Sequence, residues 1–115
     1  MTLDITKSLE IIEEMENYIN FVRPRPEIRH QFDIGYELQG QSVILNEIRP
    51  SFKNPSTIES YGYAKAAFVK NKNIWKIYWL RSDLKWHAYP PKTSVKQLRD
   101  FLKIVHEDKY HCFKG

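Results

Sequence analysis

Residues 63–89, YAKAAFVKNKNIWKIYWLRSDLKWHAY, decide the fold. Apolar and polar side chains alternate along this stretch, and two short polar clusters interrupt it. The pattern predicts three antiparallel strands at residues 63–70, 73–81 and 84–89, with turns at Asn71-Lys72 and Ser82-Asp83. Two-residue turns set Phe68, Ala66 and Ala64 opposite Trp75, Ile77 and Trp79. They also set Trp79 opposite Trp86 and Ile77 opposite Ala88. Rings then meet alanines and all three tryptophans fall on one face, as interlocking volumes require. Trp79 and Trp86 are therefore expected as buried cross-strand neighbours, with each indole N–H bonded or at the rim.

Upstream, residues 29–49 read as a further hairpin, RHQFDIGYEL and QSVILNEIR, turning at Gln39-Gly40. That turn places Leu38, Tyr36, Ile34 and Phe32 beside Gln41, Val43, Leu45 and Glu47, which gathers an apolar face. Residues 50–61, PSFKNPSTIESY, hold two prolines and are expected as the one long irregular loop.

The chain ends read as helices. Over residues 4–22, Ile5, Leu9, Ile12, Ile19 and Val22 recur at helical spacing, widened by Met15 and Tyr18. Asp4 or Thr2 caps the start, and Pro24 ends the helix by restricting Arg23. The following RPRPE reads as an extended, stiff connector. After Pro90-Pro91, Ser94 and Gln97 match a capping box, and Val95, Leu98, Phe101, Leu102 and Val105 supply a second apolar stripe. Tyr110 and Phe113 are expected to dock on the core. The order α-β-β-β-β-β-α with short antiparallel connections predicts an α+β fold, a sheet of about five strands with terminal helices packed against it.

Length and composition agree. The 115 residues suit a single domain, 1–115, and 42% apolar with 28% charged residues describes a globular chain. One cysteine excludes a disulfide framework and a Cys-rich zinc module. No apolar run approaches a membrane span, and the acidic, amphipathic start is unlike a secretory signal. The expected location is therefore the cytoplasm, with no membrane association. Net charge is +4, unevenly spread. Residues 1–22 carry five acids and one lysine, whereas residues 61–92 carry seven bases and a single acid, Asp83.

The segments DIGYELQGQSVILNEIRP, RSDLKWHAYPP and EDKYHCFKG resemble the bacterial family called domain of unknown function 3024. The most specific pieces are Gly40-Gln41-Ser42-Val43, Glu47-Ile48-Arg49-Pro50 and Asp83-Leu84-Lys85-Trp86-His87. The resemblance runs from about Arg23 to Gly115, and the first 22 residues match only in character. It implies a small bacterial protein and no established activity.

Candidate chemistry is sparse. Asp33, Glu47 and Arg49 approach the pattern of metal-dependent nucleases, in which two carboxylates hold Mg²⁺ and a lysine supports the attacking water. Arginine stands where that pattern has lysine. The expected register also aims Asp33 and Glu47 at opposite faces. The plain alternative is a Glu47–Arg49 surface pair. His106, His111 and Cys112 form the one metal-ligand-like cluster, but their spacing straddles a helix end, so neither metal nor other cofactor is expected. Glycine patterns for phosphate loops and nucleophile elbows are absent from the sequence.

The strongest signal is the second sheet face. The register that buries the tryptophans turns Tyr63, Lys65, Lys76, Tyr78, Lys85, His87 and Tyr89 the other way, among Ala67, Val69, Ile74 and Leu80. Lysines alternating with flat rings suit a phosphate backbone and stacked bases. The leading expectation is a non-enzymatic binding module that takes nucleic acid through Lys65, Lys76, Tyr78, Lys85, His87 and Tyr89. The alternatives are a nuclease-like enzyme at Asp33 and Glu47, and a protein-interaction module docking through the same face.

Overall fold

A computed structural model describes residues 4–113; Thr2, one of the two expected caps, lies outside them. Helix α1 spans Ile5–Val22. The Asp4 carboxylate accepts the Lys7 N–H at 2.8 Å and so satisfies one orphan donor of the first turn. Pro24 holds Arg23 extended, and the helix stops there with the Arg23 N–H on the Ile19 carbonyl. The buried stripe is Ile11, Met15 and Ile19, flanked by Tyr18 and Val22. The expected row of Ile5, Leu9 and Ile12 is exposed instead. Of two apolar rows on this helix, the sheet takes the one centred on Met15. The RPRPE connector is not extended throughout, because Pro26–Ile28 form a single 3-10 turn.

Six strands make one antiparallel sheet: β1 Asp33–Gln39, β2 Ser42–Pro50, β3 Ile58–Val69, β4 Ile74–Leu80, β5 Trp86–Ala88 and β6 Ser94–Val95. They run in the order β1-β2-β3-β4-β5, and β6 pairs with a separate stretch of β4. Helix α2, Leu98–Glu107, follows. The architecture is the predicted α+β layer fold, with one additional short strand.

Each turn fixes a register. The first hairpin turns at Gly40-Gln41, with Gly40 at φ +59°, a conformation glycine adopts without a Cβ clash. The partners are therefore Leu38–Val43, Tyr36–Leu45 and Ile34–Glu47, two residues from the expected pairing but on the same faces. Between β3 and β4 the expected register is found: Phe68 pairs with Trp75, Ala66 with Ile77 and Ala64 with Trp79.

The β4–β5 hairpin departs from expectation. Its loop has three residues, not two. The Leu84 N–H bonds the Arg81 carbonyl at 2.8 Å, and the Arg81 N–H bonds Lys85 at 3.2 Å. Leu84 takes the left-handed conformation, φ +63°, which completes the loop. Trp79 thus faces His87, and Trp86 pairs with Leu80. A slip of one residue moves a strand's side chains to the other face, so Trp86 leaves the expected core position beside Trp79. The Trp79 Nε1 is buried without a hydrogen-bond partner among the described residues, against the expectation of a bonded N–H.

Two other expectations are revised. β3 begins at Ile58, so the irregular loop shrinks to residues 51–57. There Ser51 bonds Thr57 through its N–H and accepts the Lys53 N–H on its hydroxyl. The Ser94–Gln97 capping box does not form, because Ser94 and Val95 are drawn into pairing with Lys76 and Trp75. Gln97 caps α2 without a side-chain bond.

The core lies on one side of the sheet. Ile11, Met15 and Ile19 of α1 and Leu98, Phe101, Leu102 and Val105 of α2 cluster with Val43, Leu45, Ala64, Ala66, Phe68, Trp75 and Ile77. Trp75 is 1% exposed. Phe113 docks on Tyr89 with ring centroids 4.8 Å apart, whereas Tyr110 stays exposed. Ile44, which points to the opposite face, is buried yet stands outside this cluster.

Candidate functional site

The face turned away from the helices is built by alternation. Lys65, Ala67 and Val69 of β3 share it with Ile74, Lys76, Tyr78 and Leu80 of β4, with Trp86 and Ala88 of β5, and with Ile44, Asn46 and Ile48 of β2. Lys76 and Ala88 are exposed and the rings of Tyr78 and Trp86 are half-exposed, so no helix covers them. The Lys65 Nζ lies 5.7 Å from the Tyr78 ring centroid and 5.8 Å from that of Trp86, within cation–π range of both. Gly62 makes room for Trp86. A Cβ there would stand 3.2 Å from the indole Cζ2 and 3.1 Å from Ile44 Cγ2.

Beyond β4 the face meets the β6 edge. A groove bounded by Lys76, Tyr78, Ala88 and Ser94 leads to a second, lined by Lys92, Lys96 and Lys103 with Asp100 and Glu107. Ammonium groups thus continue past the two rings, in a strip where bases outnumber acids.

Of the six residues expected on this face, three are brought together: Lys65, Lys76 and Tyr78. Lys85 is exposed in the hairpin loop. His87 turns to the helix side opposite Trp79, and Tyr89 is buried under Phe113. Their displacement follows from the three-residue loop. The Asp83 carboxylate organises that loop by accepting the Lys85 N–H at 3.0 Å and bonding His87 Nε2 at 2.8 Å. The His87 hydrogen bond, with the Lys85 N–H, holds the Asp83 carboxyl below its ordinary range. Tyr63 also leaves the face. β3 carries a bulge between its Gly62–Asn46 and Ala64–Leu45 pairs, and the extra residue, Tyr63, is buried. Sequence reasoning missed Trp86; an Asp able to bond a backbone N–H two residues on was the available signal for a longer loop.

The acidic candidates do not converge. Asp33 pairs in the ladder with Ile48 and Glu47 with Ile34, so their side chains leave opposite faces. Asp33 meets Arg23 across two contacts, 2.6 and 3.2 Å, and also accepts the Ile34 N–H. Burial alone would raise the Asp33 carboxyl, but the Arg23 and Ile34 bonds and the Arg29 charge outweigh it and hold the group below its usual range. Glu47 lies 3.6 Å from Arg49, whose guanidinium stacks 4.1 Å from the Tyr61 ring centroid. Each acid therefore has its own arginine. Among the described residues no three His, Cys, Asp or Glu side chains stand close enough to hold a metal ion, and His106, His111 and Cys112 form no such group.

No helix among the described residues is long and apolar enough to cross a membrane. No curated protein and no solved structure matches the chain. The family model for the domain of unknown function DUF3024 matches residues 4–115, and with that coverage the chain belongs to this family.

Proposed function

We propose that the chain is a non-enzymatic binding module that takes single-stranded nucleic acid across the uncovered face of its sheet. One observation carries the proposal: two aromatic rings, Tyr78 and Trp86, flank the Lys65 ammonium on a face that no helix covers. Flat rings accept bases of any identity, and the cations neutralise phosphates. Lys76 adds charge on the same face, and Lys92, Lys96 and Lys103 line a neighbouring groove that also holds Asp100 and Glu107. Trp86 takes the place that His87 and Tyr89 were expected to fill. The paired arginines at Asp33 and Glu47 weigh against the nuclease-like alternative.

The same face carries Ile44, Val69, Ile74 and Leu80, which favour a second reading: a protein partner docked on the sheet. Titration of a fluorescent single-stranded oligonucleotide over a salt series separates the two. Three or four phosphate contacts give a log–log slope of about −2 to −3. Lys65→Ala and Lys76→Ala each weaken binding and flatten that slope, largely regardless of base sequence. Absence of binding at low salt, or binding indifferent to both substitutions, overturns the proposal in favour of the protein partner.

A further inference from the structure

A cleft separate from the sheet face opens where the C-terminal ends of α1 and α2 meet. Its volume is about 500 Å³, in the range of small-ligand sites. Tyr18, Phe21 and His106 form its walls. The His106 ring stands perpendicular to Tyr18 at 6.5 Å and tilted against Phe21 at 5.4 Å. Tyr63 forms the floor, placed there by the bulge that removed it from the open sheet face.

The charge around this cleft is the reverse of the chain's average. The protein carries 18 Lys and Arg against 14 acids, yet the lining holds two carboxylates, Glu107 and Asp108, beside the imidazoles of His106 and His111, and neither a lysine nor an arginine. The last turns of both helices, the negative ends of their dipoles, border the cleft. Burial pushes the Tyr18 hydroxyl up to about 12 and raises that of Tyr63, so both hydroxyls stay protonated. Anions are repelled from such a site. An organic cation gains from the ring quadrupoles and from the acids together.

We infer that the cleft between the C-termini of α1 and α2 is a binding site for an organic cation of the alkylated ammonium class. Tyr18, Phe21 and Tyr63 line it and exposed Glu107 balances its charge, while the Asp108 carboxylate, which accepts the Phe113 N–H at 3.1 Å, adds to the negative field. The site does not depend on the nucleic-acid reading of the sheet, and its ligand is of opposite charge.

The test uses two probes of the same shape, choline chloride and the uncharged 3,3-dimethylbutan-1-ol, titrated into the full chain and followed by ring resonances in NMR. Choline moves the Tyr18, Phe21 and His106 signals saturably, and the neutral analogue binds roughly tenfold more weakly or not at all. Phe21 is 73% exposed and Glu107 is exposed, so substitutions at both leave the fold intact. Phe21→Ala weakens choline binding about three- to tenfold, and Glu107→Gln about twofold or more. Equal binding of the two probes, no saturable shift, or affinity untouched by Phe21→Ala overturns the inference. Preferential binding of inorganic phosphate at these resonances overturns it as well.

Discussion

The two faces of this sheet are made from neighbouring residues on the same strands, yet they reach burial by different means. On the helix side, Val43, Leu45, Ala64, Ala66 and Ile77 vanish beneath Met15, Phe101 and Val105. Small alanines admit large rings there, and a second layer excludes water. On the other side the described residues form no second layer. Ile44 is still buried, because its neighbours lie down over it: Trp86 lies over Gly62, and the Lys65 stem runs toward Tyr78 and Trp86. The first face is closed by architecture and the second by side chains that a ligand can displace or stack upon.

The largest effect that breaks or sharpens this contrast is on the helix side. Trp75→Ala is expected to destabilise by ~3–5 kcal/mol in chemical denaturation, as aromatic truncations in closed cores do. Tyr78→Ala, three residues along the same strand on the open face, is expected to cost less than ~1 kcal/mol of stability. Its effect appears in oligonucleotide affinity, which drops by ~1–3 kcal/mol through lost stacking with little change in salt slope. Comparable destabilisation by the two substitutions would erase the distinction between the faces.

At the seam between layers, Asp33 ties β1 to the end of α1 through Arg23. Asp33→Asn is expected to cost on the order of 1 kcal/mol at neutral pH, since it removes a charge-assisted pair that is only part-buried and therefore partly screened. The pH dependence has a definite sign. The folded-state carboxyl titrates below its unfolded value, so its contribution is complete above about pH 4 and drains away as pH falls through the folded value. Acid titration of stability should be flatter in the Asn variant; identical curves would remove Asp33 from the acid response.

A smaller change probes the open face from beneath. Gly62→Ala puts a Cβ 3.1–3.2 Å from Ile44 and Trp86, so these side chains must give by a few tenths of an ångström. The expected destabilisation is about 1 kcal/mol, with altered oligonucleotide affinity while Trp75 packing is retained. Smallest of all is Leu84→Gly. It releases the left-handed strain at φ +63° but adds chain entropy to the unfolded state, for a net gain of at most ~1 kcal/mol. A clear loss of stability would mean that Leu84 packs where the structure leaves it exposed.

The fold was legible where alternation and turn chemistry agreed. The Ala64–Ala66–Phe68 row against Trp79–Ile77–Trp75 follows from residue sizes alone, and the structure pairs them so. The first hairpin kept its faces through a two-residue shift, because a period of two forgives even errors. The β4–β5 hairpin forgave nothing. An odd error of one residue exchanged His87 and Tyr89 for Trp86 and Ala88 on the candidate face. The bulge at Tyr63 was harder to read; Gly62, a glycine within the strand, was its available signal. The short β6 strand was hidden because Ser94 offered both a cap and a bridge, and the bare β4 edge decided between them. For the candidate site, Lys65, Lys76 and Tyr78 were readable and Trp86 was not.

The placement of the tryptophans gives the molecule three built-in optical labels. Trp75 is sealed among the helices, Trp86 lies on the open face, and Trp79 carries an indole N–H without a partner among the described residues. Emission from Trp86 therefore answers to whatever settles on the sheet, while emission from Trp75 answers to loosening of the layers. Spectra recorded with each indole silenced in turn distinguish occupancy of the surface from failure of the interior.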